Sequence, residues 1–129
     1  MSDTIAAPES VLAHATSDIP RARPDQTAEQ VRAHLIGVRH QWVCVVAIMD
    51  GDVLAGTVAI EDLLAADAEQ PMASLMRAPV SVHRDTDQEV AAWEMVRKGH
   101  RALSVVDDAG HLLGIVTPAD MLDVLFVEH

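Results

Sequence analysis

Thr117, Pro118, Ala119 and Asp120 bring several chemistries together in four residues. A threonine can cap a helix start, proline suits the first helical position, and an aspartate in the first turn favours the helix dipole. The N–H groups beyond the proline can meet a phosphate. An ionised carboxylate can accept both hydrogen bonds of a vicinal diol. Charge-assisted bonds of this kind are worth about 1.5–3 kcal/mol each. The phrase GIVTPAD at 114–120 has a weaker copy, GTVAIED at 56–62, with the two glycines 58 residues apart. In that copy Ala59 stands where Thr117 does, and Glu61 adds negative charge beside Asp62.

The phrase closes a longer repeat. PRARPDQTAEQV (20–31) aligns with PVSVHRDTDQEV (79–90), and VVAIMDGDVLAGTVAIEDLL (45–64) aligns with LSVVDDAGHLLGIVTPADML (103–122). Internal similarity of this kind indicates a duplicated unit that buries its apolar face against its twin. Each copy opens with a short extended stretch, Ile19–Arg23 or Val80–His83. A helix follows, started by a Thr27/Gln30 capping box ahead of a Val31, Leu35, Val38 stripe, or by Thr86/Glu89 ahead of Val90, Ala91, Trp93 and Met95. Gly99 is placed to end the second of these helices. Trp93 reads as core. Two strands then flank a turn: Val43–Met49 and Val53–Val58 around Asp50-Gly51-Asp52, and Ala102–Val106 and His111–Val116 around Asp107–Gly110. A second helix closes each copy, at Ile60–Ala66 and Pro118–Phe126. The expected fold class is α/β (α+β), two pseudo-symmetric β-α-β-β-α repeats packed as one module. The expected divisions are a tail at 1–16 with one helical turn at Ser10–His14, repeat 1 at 17–66, a linker at 67–76 with a short helix after Pro71, and repeat 2 at 77–129.

Composition narrows the function. The chain has 129 residues, half of them hydrophobic and only 2% aromatic, so the core must be aliphatic. A net charge of −11 repels nucleic acid backbones and anionic lipid, so neither nucleic-acid binding nor membrane insertion is expected. The single cysteine, Cys44, reads as a small buried hydrophobe and allows no internal disulfide. MSDTIAAPES has no secretory pattern, and Val43–Met49 is far shorter than the roughly 20 residues needed to span a bilayer. A cytoplasmic setting is expected. The histidines show no zinc-ligand spacing, and neither a nucleophile beside a base nor a phosphate-binding Gly-rich motif is present, so neither catalysis nor a metal site is expected.

A duplicated unit ending in Gly-apolar-apolar-Thr-x-x-Asp resembles the CBS domain, whose pairs form a two-lobed Bateman module. The wording of the second copy, DTDQEVAAWEMV…ALSVVDDAGHLLGIVTPADMLDVL, is similar to the cytosolic CBS region of MgtE-type magnesium transporters. The resemblance implies an adenine nucleotide (AMP, ADP or ATP, with or without Mg²⁺) in a cleft between the repeats, and no obligatory cofactor. It assigns Asp120 to the ribose hydroxyls and Thr117 to phosphate, with Arg21, Ala22, Arg23, Trp42 and Val43 opposite. It sets Asp62 against Ser81, Val82, His100 and Arg101 in a second, weaker site. It also implies a homodimer meeting through the second helices, where Leu63, Leu64, Met121, Leu122, Leu125 and Phe126 could supply either the interface or the internal core, and an unknown protein partner. Two other readings stay open. One is a non-catalytic scaffold with empty clefts. The other is a Mg²⁺ sensor using Asp107, Asp108, Asp120, Asp123 and Glu128, since Mg²⁺ prefers oxygen ligands.

Overall fold

The computed structural model describes residues 9–41 and 43–126. They form two compact units, one of residues 18–79 and one of residues 9–17 with 80–126. The first unit holds β1 (Arg21–Ala22), α1 (Ala28–Leu35), β2 (Val45–Asp50), β3 (Val53–Ala59), α2 (Ile60–Ala65) and α3 (Met72–Leu75). The second holds a 3-10 turn (Val11–His14), β4 (Ser81–His83), α4 (Gln88–Lys98), β5 (Leu103–Val106), β6 (Leu112–Val116), a 3-10 turn (Pro118–Met121) and α5 (Leu122–Phe126). Each unit has a three-stranded sheet, β1-β2-β3 or β4-β5-β6, with a parallel pair followed by an antiparallel hairpin. The expected β-α-β-β-α order therefore appears twice.

The duplication reaches into fine detail. Both hairpins shift register beside the repeated glycine: Ile48 pairs with Gly56 but Met49 with Leu54, and Val105 pairs with Gly114 but Val106 with Leu112. Each turn carries a glycine at positive φ, Gly51 or Gly110, where other residues would be strained. One core gathers Ala28, Val31, Val46, Ile48, Val58, Leu63 and Met72, and the other Val11, Ala91, Ala92, Met95, Leu103, Val105, Val116, Met121 and Val124. Both are aliphatic, as the composition required.

The unit boundaries cross the repeat boundaries. Residues 10–16, expected as a tail, lie against the second repeat. Val11 is fully buried in its core, and its N–H donates to the Thr86 carbonyl at 2.8 Å. Thr16 and Ile115 exchange both backbone bonds, at 3.0 and 2.8 Å, along the outer edge of β6. Residues 70–76 of the expected linker, with Arg77 that follows them, occupy the corresponding place on the first repeat. Met72 is fully buried there, its N–H donates to the Gln26 carbonyl at 2.8 Å, and Arg77 and Thr57 exchange bonds at 3.0 and 2.9 Å along β3. The repeated glycines are explained by these segments. A Cβ on Gly56 would lie 2.8 Å from the Arg77 carbonyl oxygen, and one on Gly114 would lie 2.9 Å from both the Ala15 Cβ and the Thr16 carbonyl oxygen. Gly56→Ala is expected to cost about 1–3 kcal/mol, because the obstructing atom is backbone. A urea titration checks this, with a lowered midpoint as the expected result.

Several local expectations need correction. The Thr27/Gln30 capping box forms, but α1 stops at Leu35, where Ile36 turns extended and Gly37 takes φ 85°, so Val38 falls outside the helix and is exposed. The N-cap of α4 is Asp87, not Thr86; its carboxylate accepts from the Glu89 and Val90 N–H groups, while the Thr86 carbonyl serves Val11. Gly99 does end α4, at φ 67° with its N–H directed to the Met95 and Val96 carbonyls. Trp93 is 56% exposed rather than core. Small Ala91 and Ala92 with Met95 take the inner face of α4, and Val90, Trp93 and Val96 take the outer one. Cys44 is exposed rather than buried, because it precedes β2 instead of lying within it.

Candidate nucleotide site

Each unit gathers its candidates at the end of the sheet where the last strand passes into a helix. In the second-repeat unit, β6 ends at Val116 and Thr117 caps the turn that follows. The Asp120 N–H donates to Thr117 Oγ1 at 3.4 Å, the Thr117 N–H donates to Asp120 Oδ2 at 2.8 Å, and the Thr117 hydroxyl donates to the same oxygen at 3.0 Å. The box fixes the carboxylate and leaves Oδ1 without a partner among the described residues. Both residues are half-buried. Ser81 belongs to the same end, in the row Ser81–Ser104–Ile115 across the sheet. His100 lies in the loop before β5, with its N–H bonded to the Met95 carbonyl at 3.0 Å. Ser81 is exposed, His100 half-buried, and Val82 packs against the core.

The first-repeat unit repeats this plan without the box. Ala59 is the N-cap of α2 and supplies no side-chain bond, since a methyl group cannot accept from an N–H. Asp62 is half-buried in the first turn of α2. Arg21 is exposed on the edge strand β1, in register with Ala47. The side chain of Ala22 is buried in the core, so this residue can offer a ligand only its backbone. The Arg23 guanidinium is exposed and holds Asp25 at 3.2 Å through Nε. Val43 is exposed just ahead of β2. Trp42 lies outside the described residues.

The acidic set expected near the chain end is dispersed. Asp107 and Asp108 sit in the β5–β6 turn, at the opposite end of the sheet from Asp120; Glu128 lies outside the described residues. A cavity of about 490 Å³ opens at that turn, lined by His83, Arg84, Asp85, Asp107, Asp108, Ala109 and His111. Among the described residues no three His, Cys, Asp or Glu side chains converge to hold a metal ion. The His111 backbone N–H, foremost among several donors, holds the Asp107 carboxyl below its usual range. A depressed carboxyl contributes stability above its unfolded pKa and loses it as pH falls through the folded one. Acid titration is therefore expected to loosen the 107–111 turn only below the ordinary aspartate range. The Ala109 and His111 amide resonances, whose N–H groups both donate to Asp107 Oδ1 at 2.9 Å, report it.

With this geometry in view, the known relatives decide the family. Residues 72–127 match the CBS domain. The magnesium transporter MgtE of Thermus thermophilus is 43% identical over 76 residues, 58% of this chain and 17% of the transporter. The crystal structure of the cytosolic domain of the Mg²⁺ channel MgtE in complex with ATP superposes with a TM-score of 0.87 at 31% identity, over 92% of this chain and 50% of that one.

The chain has the fold of a CBS-domain pair.

CBSX2 in complex with AMP shares the fold, with a TM-score of 0.75 at 23% identity over 90% of this chain and 95% of that one. The CBS pair spans less than two thirds of the curated relatives it matches, 59% of one and 26% or less of the others. Among its described residues no helix is long and apolar enough to cross a membrane.

Proposed function

We propose that this CBS pair is a regulatory module that binds an adenine nucleotide at Thr117 and Asp120 and passes the bound state to a partner as a conformational change. The supporting observation is the reciprocal Thr117–Asp120 box, which engages the Asp120 carboxylate through Oδ2 and leaves Oδ1 to accept from a ligand. The similarity to the MgtE cytosolic domain in complex with ATP favours the same ligand class here. Asp120 takes the ribose hydroxyls, and the N–H groups past Pro118 lie toward phosphate. The first-repeat counterpart, with Ala59 in the place of the Thr117 hydroxyl and Glu61 beside Asp62, is the weaker site.

Thermal unfolding with AMP, ADP, ATP, S-adenosylmethionine and Mg²⁺, singly and together, tests this. A ligand at 100 times its dissociation constant adds about 2.7 kcal/mol. Stabilisation by a nucleotide is expected. Absence of a shift with every nucleotide overturns the reading, and a shift with Mg²⁺ alone favours a cation sensor.

A second reading, assembly, has its own observation. Val90, Trp93 and Val96 on α4 and Leu122 and Phe126 on α5 are large, apolar and exposed, and the two helices are neighbours. Of the residues expected to supply either the interface or the internal core, Leu63 and Met121 are core, whereas Leu64 and Phe126 are exposed, Phe126 to 78%. A homodimer would cover such a surface. Trp93→Glu is expected to shift the mass measured by light scattering from dimer to monomer without loss of helix content. An unchanged mass places the interface elsewhere.

A further inference from the structure

We propose that residues 10–16 form a strap that positions the Thr117–Asp120 box, so that strap docking and nucleotide binding at Asp120 strengthen each other; this rests on the nucleotide reading above. The strap grips the box from both sides in sequence. On one side Thr16 holds both backbone groups of Ile115, two residues before Thr117, at 3.0 and 2.8 Å. Gly114 lets the strap approach so closely that a single added carbon would collide with Ala15 and Thr16. On the other side Val11, fully buried, shares a core with Met121 and Val124, the first of which directly follows Asp120. Leu12 and Ala15 pack against the same core. The strap is anchored at α4 as well, by the Gln88 N–H to the Glu9 carbonyl at 2.8 Å and by His14 Nε2 with Gln88 Oε1 at 2.7 Å.

The geometry makes β6 and its turn one mechanical piece with the strap. If the strap lifts, β6 regains an open edge and Met121 loses a core neighbour, so the box loses support at both ends. A ligand that requires the box in place then favours the docked strap, and coupling of this kind is reciprocal. The first repeat supplies an internal control. Residues 70–77 occupy the same position there and make the same exchange at Thr57, but the helix start they support has no box.

The test uses the full chain and ATP. Thr16→Pro removes the N–H that Ile115 accepts; Ala15, at φ −83° and ψ 149°, already has the extended backbone that a following proline requires. Arg77→Pro makes the equivalent cut in the other unit, after Met76 at φ −70° and ψ 150°. Thr16→Pro is expected to weaken ATP binding about three- to tenfold, and Arg77→Pro to leave it unchanged. In the wild type, saturating ATP should slow exchange of the Thr16 and Ile115 amides more than that of the amides joining β4 to β5. Equal ATP affinity in Thr16→Pro and the wild type overturns the strap while leaving the nucleotide site standing. So does an ATP effect no larger at Thr16 and Ile115 than elsewhere in the unit, which decides the matter even if the variant does not fold. A wild-type chain that binds no ATP overturns both.

Discussion

Val11→Asp is expected to unfold the unit built on the second repeat while residues 18–79 keep their fold. Val11 has no exposed surface and lies among Ala92, Met95, Leu103 and Met121 in one core. Its loss removes about 1.5–3 kcal/mol of burial. A carboxyl group in its place, even neutral, adds roughly 2–7 kcal/mol when it finds no hydrogen-bond partner. Together these rival the whole stability of a typical small domain, about 5–15 kcal/mol. The first repeat has its own core around Ile48, Leu63 and Met72, to which Val11 does not belong. Amide spectra would separate the units: resonances from 80–126 collapse and those from 18–79 persist. Met72→Asp should give the mirror image. A cooperative loss of both sets, or of neither, contradicts the division of the chain into these two units.

Asp120→Ala is expected to weaken nucleotide binding about 10- to 150-fold, the equivalent of one charge-assisted bond at about 1.5–3 kcal/mol. Asp62→Ala should have the smaller effect, because no box holds Asp62 and Ala59 contributes no hydroxyl. The Asp120 variant also loses the bonds its carboxylate accepts from Thr117, and the protein should become less stable by about 1 kcal/mol. Affinity must therefore be measured directly, at a temperature where both variants are folded. An Asp62→Ala effect equal to or larger than that of Asp120→Ala would reverse the ranking of the sites.

What the sequence made legible was local. The Thr27/Gln30 box, the Gly99 helix end, the Asp107–Gly110 turn and the Thr117 cap each span a few residues, so their chemistry is written in adjacent letters. The repeat supplied the topology, since two copies of one pattern fold alike. What stayed hidden was long-range. His14 and Gln88 meet across 74 residues of chain, and nothing in VLAH says that Val11 fills the core of the later repeat. The Ala-, Pro-, Ser- and Thr-rich composition of residues 1–16 reads as a tail, because a strap bonds largely through its backbone, and backbone leaves no mark on residue type. The only local trace was the pair of glycines at 56 and 114, which mark where another chain segment comes too close for a side chain. Trp93 misled for a related reason. An apolar residue in a helical pattern can serve an inner or an outer face, and Ala91, Ala92 and Met95 had already filled the inner one.

The central claim is that one held carboxylate in the second repeat binds the sugar of an adenine nucleotide. Calorimetric titration of ATP into the wild-type chain and into Asp120→Ala, both folded, tests it most directly. Saturable binding to the wild type, weakened at least tenfold in the variant, is the predicted result. No heat with the wild type, or the same affinity in both, would contradict it.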